Sequence, residues 1–516
     1  MSFISIKFLL FLLVIVFLYY LTPKKYQWIT LLAASYCFYL FGGITPLIFI
    51  ISTTTTIYLL ARWLQKIDDA STKETRKIAK KKKKRVLLLG VLINFGILFM
   101  LKYYNFAASQ INDMFDLFGF RKDAPLMNLV LPMGISFYTF QAVGYLIDVY
   151  RKKYPAEKNY LRFALFISFF PQIIQGPISR YDNLGEKLKK PHYFNYTTLL
   201  HGAELMMWGF FKKMVIADRI GTLVSNVYGD YSSYDGTQVL VAMLMYSIQI
   251  YTDFSGGIDV ARGAAEMLDI ELIENFNRPY FANSVSEQWR RWHMSLTNWM
   301  RDYVFFPLTL SKTSTRIGKW ARKNLQGNLR KQLPSYLPTF IVFTIIGIWH
   351  GAGWGYIVYG LYNSIMIILG MFCTPLFEKM IRILHIPTEH FLWKCFQIIR
   401  TYFIMAYGRC LARAATVGTA LHMWKRSLHC FNFSDLAHRA IGMGLDGDDL
   451  KVFLFAFLVL FTASCMQERG IRIRQDILDR SLLLRWAVLL LGLACILIFG
   501  VYGPGFNAGE FIYRNF

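Results

Sequence analysis

The stretch that decides the fold is residues 332–377, QLPSYLPTFIVFTIIGIWHGAGWGYIVYGLYNSIMIILGMFCTPLF. Its 46 residues include no Asp, Glu, Lys or Arg, and His350 is its only titratable group apart from thiols and phenols. About 20 apolar residues of helix cross a hydrocarbon core of about 30 Å. The stretch is therefore membrane-spanning, and the glycines that follow His350 predict a break in the span.

The rest of the chain follows the same composition. Of the 516 residues, 55% are hydrophobic and 17% are charged, against about a quarter charged in soluble domains. We predict an all-α, polytopic helical bundle with about eleven transmembrane helices plus re-entrant and amphipathic helices. The other windows with at most one charge are residues 3–21, 28–61, 86–101, 124–147, 163–179, 237–252, 452–467 and 486–509. The apolar run at residues 3–21 is too long for the h-region of a cleaved signal peptide. Residues 42–46 are expected to form a tight turn between two spans.

The formal net charge of +25 is concentrated between the apolar windows. Residues 62–85 hold eleven basic and three acidic residues, and residues 311–331 hold seven basic and no acidic ones. Short basic loops stay in the cytoplasm and contact anionic membrane lipids. We therefore expect these loops to face the cytoplasm and the N-terminus to lie outside. A loop of 24 residues is too short for a nucleic-acid-binding domain, and the scattered cysteines give no metal-ligand spacing.

His350 is the strongest candidate for chemistry, because ionisable groups inside a membrane are expensive and usually functional. Pro334 and Pro338 fit the start of a helix. Thirteen rises from Leu337 carry His350 about 20 Å, past the midplane. His350, with Trp349 beside it, is thus expected to face a cavity open to the outside. The alternative is a structural histidine bonded to a neighbouring helix.

A second candidate segment, residues 289–303, has the spacing of one amphipathic helix near a membrane interface. Its polar face includes Asn298. Its apolar face includes His293, which the spacing alone favours as a packed, hydrogen-bonded residue. The apolar-face positions are Trp289, Trp292, His293, Leu296, Trp299, Met300 and Tyr303.

Two polar segments stand in apolar surroundings. Asp253 and Asp259 are predicted at the end of a span, and Asn275 lies in a polar turn before the amphipathic helix. Capping, turn formation and buried ion pairs are the favoured interpretation of both segments. Support for substrate binding is the alternative.

These segments together resemble the membrane-bound O-acyltransferase (MBOAT) family, and more closely its bacterial alginate O-acetyltransferase branch. The match runs in order from about residue 130 to 360. By this resemblance His350 matches the family's catalytic histidine and His293 its second functional one. The motifs that carry it are WHGAGW (349–354), RRWHMSL (290–296), RDY (301–303), ENFN (274–277), PMGISFYTFQ (132–141), QGPISRY (175–181), GFFKK (209–213), DFSG (253–256) and the C-terminal FIY (511–513).

The resemblance implies one integral-membrane acyltransferase domain. Residues 1–123 would form N-terminal helices with a basic loop, 124–377 the catalytic core, and 378–516 the C-terminal helices. It implies transfer of an acyl group, most simply acetyl, from a cytoplasmic thioester donor (acetyl coenzyme A or an acyl-carrier protein) to a cell-envelope polysaccharide outside. An extracytoplasmic SGNH-type acetyltransferase is the expected partner, with no bound cofactor or metal.

In the implied reaction a neutral His350 takes the proton of the acceptor hydroxyl, and an acetylated His350 is an alternative intermediate. His293 or Asn298 would orient the donor or stabilise the oxyanion; the sequence does not choose between them. The rival within the enzyme class is D-alanyl transfer to teichoic acids. A transporter or lipid-linked-sugar flippase and a non-catalytic scaffold are the alternatives of other classes.

Overall fold

The computed structural model describes residues 3–119, 123–129, 131–173, 175–429, 431–432, 434 and 436–502. Residues 511–513, part of the resemblance above, lie outside this range. The described residues form helices joined by turns and loops, without a β-strand, which confirms the all-α class. The chain forms two compact units, Met1–Met206 with Val260–Ile273 and Met207–Asp259 with Glu274–Phe516. The predicted division at residues 123/124 and 377/378 stays a prediction.

Eight α-helices of the described chain begin before residue 207. In this first unit α3, α4 and α5 pack together, because Gly90 of α4 lets a helix come close: a Cβ there would lie 2.4 Å from the Leu146 side chain. The eight helices that begin before residue 207 are α1 (Ile6–Leu21), α2 (Gln27–Leu40), α3 (Ile44–Asp69), α4 (Arg76–Leu117), α5 (Ile135–Tyr150), α6 (Tyr160–Ser168), α7 (Phe170–Ile173) and α8 (Tyr196–Phe210).

The basic run at residues 80–85 lies in a helix and not in a loop as expected. It occupies the first turns of α4, since lysine and arginine are good helix formers. Lys83 of this run is buried and pairs with Asp68 of α3 at 2.6 Å. Asp68 also forms a second ion pair, with Lys152 at 3.0 Å. The basic segment therefore has a structural role in the first unit beside its expected contact with lipids.

The remaining α-helices of the described residues begin after residue 207. Short π-helical segments at Phe211–Ala217 and Arg301–Phe305 interrupt the series. The helices are α9 (Asp218–Gly229), α10 (Gly236–Glu266), α11 (Val285–Arg291), α12 (Met294–Met300), α13 (Phe306–Thr309), α14 (Lys312–Asn324), α15 (Gly327–His350), α16 (Trp354–Ile383), α17 (Phe391–Arg413), α18 (Val417–Ser427), α19 (Leu436–Ile441), α20 (Gly447–Glu468), α21 (Ile473–Leu478) and α22 (Leu482–Phe499).

Among the described helices, six are long and apolar enough to cross a membrane: α3, α4, α15, α16, α20 and α22. The count of about eleven is thus not confirmed. The expected turn is present but falls at residues 41–43 and not at 42–46, since α2 ends at Leu40 and α3 begins at Ile44. On α22 the side chains of Leu483 and Ile498 are more than two-thirds exposed, as suits a helix surrounded by lipid.

A hairpin of α15 and α16 positions the site in the second unit. A Cβ on Gly347 would lie 2.5 Å from the Tyr356 carbonyl oxygen, and one on Gly360 would lie 2.3 Å from the Phe343 carbonyl oxygen. Both positions therefore need glycine for the two backbones to approach this closely. The expected helix start at the prolines is wrong, because α15 begins at Gly327 and contains Pro334 and Pro338.

Candidate active site

His350 is the last residue of α15, and the predicted break after it is confirmed. The chain leaves the helix in an extended conformation at Gly351, and α16 begins at Trp354. A Cβ at Gly351 would lie 2.2 Å from the Tyr356 ring, so glycine lets this ring close over the chain. The His350 side chain is buried, at 5% exposure.

His293 lies at a second helix break, which the sequence analysis did not predict. The expected single helix over residues 289–303 is divided into α11, α12 and a π-helical segment. His293 has φ 45° and ψ 50°, a left-handed conformation that is strained for a non-glycine residue. The helical spacing still assigned the apolar face correctly, because all seven of its residues are buried.

Asn275 holds the His293 break in place. Its backbone carbonyl accepts the Met294 N–H at 2.9 Å, and its Oδ1 accepts the Ser295 N–H at 2.9 Å. Both donors belong to the first turn of α12, which has no partners within its own helix. The same Oδ1 lies 3.2 Å from His293 Nδ1. An amide oxygen only accepts, so Nδ1 carries the proton and Nε2 carries the lone pair.

The Trp349 ring contacts the rings of both histidines. The ring centroid of Trp349 is 5.7 Å from that of His293 and 5.1 Å from that of His350. Phe254 of α10 packs its edge on His293 at 4.9 Å. His293, outside the six candidate spans, is fully buried, and this burial lowers its pKa well below the usual 6.5. His293 is therefore a neutral imidazole at physiological pH.

A small cavity of about 20 Å³ lies beside His350. Four of the eight lining residues are Tyr or Trp, from α10, α16 and the α11–α12 break. Asn298, Asp253 and Asn275 do not line it: Asn298 is on the exposed side of α12, and its role stays a prediction. The lining residues are Tyr246, Ile250, Trp292, His350, Tyr356, Tyr359, Arg409 and Ala412.

Arg409 is the lining residue of greatest chemical interest that the sequence analysis missed. It belongs to α17, and its side chain is 2% exposed. Its signal in the sequence was one of four basic residues in the helix, beside Lys394, Arg400 and Arg413. That signal is weak, because an arginine can also reach the membrane interface with its head group.

Asp253 and Asp259 lie inside α10 and not at the end of a span. Lys213 Nζ lies 2.6 Å from Asp253 and 2.7 Å from Asp218, and the Lys213 side chain is 2% exposed. Lys212 Nζ lies 2.7 Å from Asp259. The favoured interpretation of buried ion pairs is confirmed for both carboxylates. The ion pair of Asp253 thus fixes α10 at the residue next to Phe254, and the Phe254 ring contacts His293.

Comparison with known proteins identifies the family. The chain matches MBOAT, the membrane-bound O-acyltransferase family, over residues 155–409, which include both histidines and end at Arg409. It is 32% identical over 462 residues to the probable alginate O-acetylase AlgI of Pseudomonas aeruginosa, covering 87% of this chain and 79% of that protein. The chain belongs to the membrane-bound O-acyltransferase family. It is an O-acyltransferase, as the resemblance implied.

Two other relatives of this O-acyltransferase act on different polymers. The peptidoglycan O-acetyltransferase of Helicobacter pylori is 32% identical over 305 residues, 54% of each chain. The teichoic acid D-alanyltransferase of Bacillus subtilis is 32% identical over 259 residues, 49% of this chain and 62% of that protein. The O-acyltransferase chemistry is thus shared among relatives whose names differ in acceptor and in acyl group.

Proposed function

We propose that this acyltransferase acetylates hydroxyl groups of an extracytoplasmic cell-envelope polysaccharide, with His350 as the general base. The observation that carries the proposal is the position of His350, buried at a broken span and opening on a cavity. Two of the relatives are named for O-acetylation of alginate and of peptidoglycan. Membership in an acyltransferase family favours this function over a transporter or a scaffold.

The proposed donor is a thioester, acetyl coenzyme A or an acyl-carrier protein, that reaches the site from the cytoplasm. The acceptor oxygen attacks the acyl carbonyl carbon while His350 takes the hydroxyl proton. The carbon–sulfur bond then breaks, and the thiolate takes the proton from His350. Base catalysis of this kind contributes about 10²–10⁴-fold, and positioning of the substrates adds to it.

The proposed setting is the bacterial plasma membrane with the N-terminus outside. The basic segments at residues 62–85 and 311–331 would then face the cytoplasm, where their charge suits phosphates of coenzyme A or an acidic carrier. The acetyl group passes to the polymer directly or through an SGNH-type acetyltransferase outside the membrane. D-alanyl transfer to teichoic acid is the second candidate, supported by the Bacillus subtilis relative.

The test is a matched pair of variants, His350→Asn and His385→Asn. His385 is exposed in the turn after α16 and lies outside the cavity. At equal membrane levels, we expect His350→Asn to abolish incorporation of labelled acetyl into the wall polymer and His385→Asn to leave it unchanged. Incorporation of labelled D-alanine instead of acetyl by the wild type would favour the second candidate. Normal acetylation by His350→Asn would refute the role of His350.

A further inference from the structure

Arg409 is a buried cation that the proposed reaction has not yet used. Its guanidinium carbon lies 4.8 Å from the centre of the Trp292 ring and 5.3 Å from that of Tyr280. Such contacts between a guanidinium and aromatic faces are attractive and stiffen the group. The side chain is therefore held in one position before any ligand arrives.

The polar contacts of Arg409 are incomplete. The Gln288 amide oxygen, in the orientation that its neighbours favour, accepts from Nη2 at 3.2 Å. In the described part of the chain Nη1 is buried without a hydrogen-bond partner, and no carboxylate pairs with the guanidinium. Burying a charge without its partner costs several kcal/mol. The ring contacts and the Gln288 hydrogen bond leave Nη1 unsatisfied, and an anionic ligand would complete its hydrogen bonding.

Such a ligand would bind in the cavity beside His350, because Arg409 and His350 both line it. The eight lining residues include no acid, and Arg409 is the only permanent cation among them. The wall is otherwise apolar or aromatic, a setting in which an ionic hydrogen bond is strengthened. Arg409 is therefore the lining side chain best suited to stabilise an anion formed in this cavity.

We propose that Arg409 stabilises the oxyanion that forms on the acyl carbonyl during transfer. When the acceptor oxygen bonds to the carbonyl carbon, the carbonyl π pair moves to its oxygen, and Nη1 donates to that oxyanion. The C=O bond re-forms as the carbon–sulfur bond breaks, and the thiolate takes the proton held by His350. The inference rests on the proposed thioester chemistry. It assigns to Arg409 the oxyanion role considered above for His293 or Asn298.

Arg409→Met is the test, with Arg413→Met as its control. Arg413 lies one turn further along α17, over the Tyr228 ring at 5.5 Å, and does not line the cavity. The enzyme is assayed in vesicles with an acetyl thioester and an oligosaccharide acceptor. We expect Arg409→Met to lower kcat about 100- to 1,000-fold with little change in either KM. Its Tm should equal or exceed that of the wild type, because an unpaired buried charge has been removed.

A second variant, Arg409→Ala, keeps the proposal falsifiable if the methionine variant does not fold. Free guanidinium at millimolar concentration should restore part of its kcat and leave Arg413→Ala unaffected. A wild-type kcat, a raised acceptor KM at unchanged kcat, or no restoration by guanidinium would overturn the proposal. If His350→Asn were fully active, the proposed function would fail instead; an inactive His350→Asn with an active Arg409→Met would overturn this inference alone.

Discussion

Replacing Asn275 with alanine tests whether the polar turn holds His293 in its working position. The substitution removes the one oxygen that receives the Ser295 N–H at 2.9 Å and lies 3.2 Å from His293 Nδ1. Each buried donor left without its acceptor costs about 1–3 kcal/mol. We therefore expect a loss of about 2–6 kcal/mol in the free energy of unfolding. The part that falls on His293 alone corresponds to about a 5- to 150-fold loss of activity.

The assay compares Asn275→Ala with Asn277→Ala in acetyl transfer by the purified protein and in thermal unfolding. Asn277 belongs to the same turn, but it contributes a backbone N–H to the Arg291 carbonyl, which alanine preserves. Asn275→Asp is the conservative variant, because a carboxylate still accepts both hydrogen bonds. Its negative charge raises the pKa of His293, so activity should fall at pH 6 relative to pH 8.

Two results would refute this reasoning. Wild-type activity and Tm in Asn275→Ala would mean that the polar turn does not hold the break between α11 and α12. Equal losses in Asn275→Ala and Asn277→Ala would mean that the turn responds to any substitution, and not to the loss of this oxygen.

Three further predictions concern packing, charge and pH. Gly360→Ala should separate α15 from α16 and lower activity and Tm, since its Cβ would lie 2.3 Å from a carbonyl oxygen. Gly370→Ala, on the same helix, is the control: its Cβ meets nothing within 4 Å, so activity and Tm should not change. Lys213→Met leaves two carboxylates buried without their cation. Chemical unfolding should show a loss of about 3–5 kcal/mol in stability. Lys451→Met breaks an exposed ion pair and should change the stability little. The lowered pKa of His293 means that below pH 6.5 only the unfolded chain takes up this proton. As the pH is lowered below 6.5, the unfolding free energy of the wild type should therefore fall by about 1.4 kcal/mol per pH unit more than that of His293→Gln. Parallel curves of unfolding free energy against pH for the two proteins would contradict this.

The sequence alone determined the features that depend on local composition and spacing. A 46-residue stretch without charged residues required membrane-spanning helices, and the glycines after His350 required the break that α15 and α16 show. Helical spacing also found the buried face that carries His293. These features follow from the hydrocarbon thickness and the helix period, so they can be inferred without knowing what packs against them.

Only the tertiary structure decided what surrounds the two histidines. The break at His293 depends on hydrogen bonds from Asn275, 18 residues earlier, and no helical periodicity contains such a contact. Arg409 is 59 positions after His350 and enters the cavity only because α17 packs against α16. Burial, charge pairing and ring contacts are properties of neighbours in space. The sequence could name the catalytic candidate, and the folded chain supplied the cation beside it.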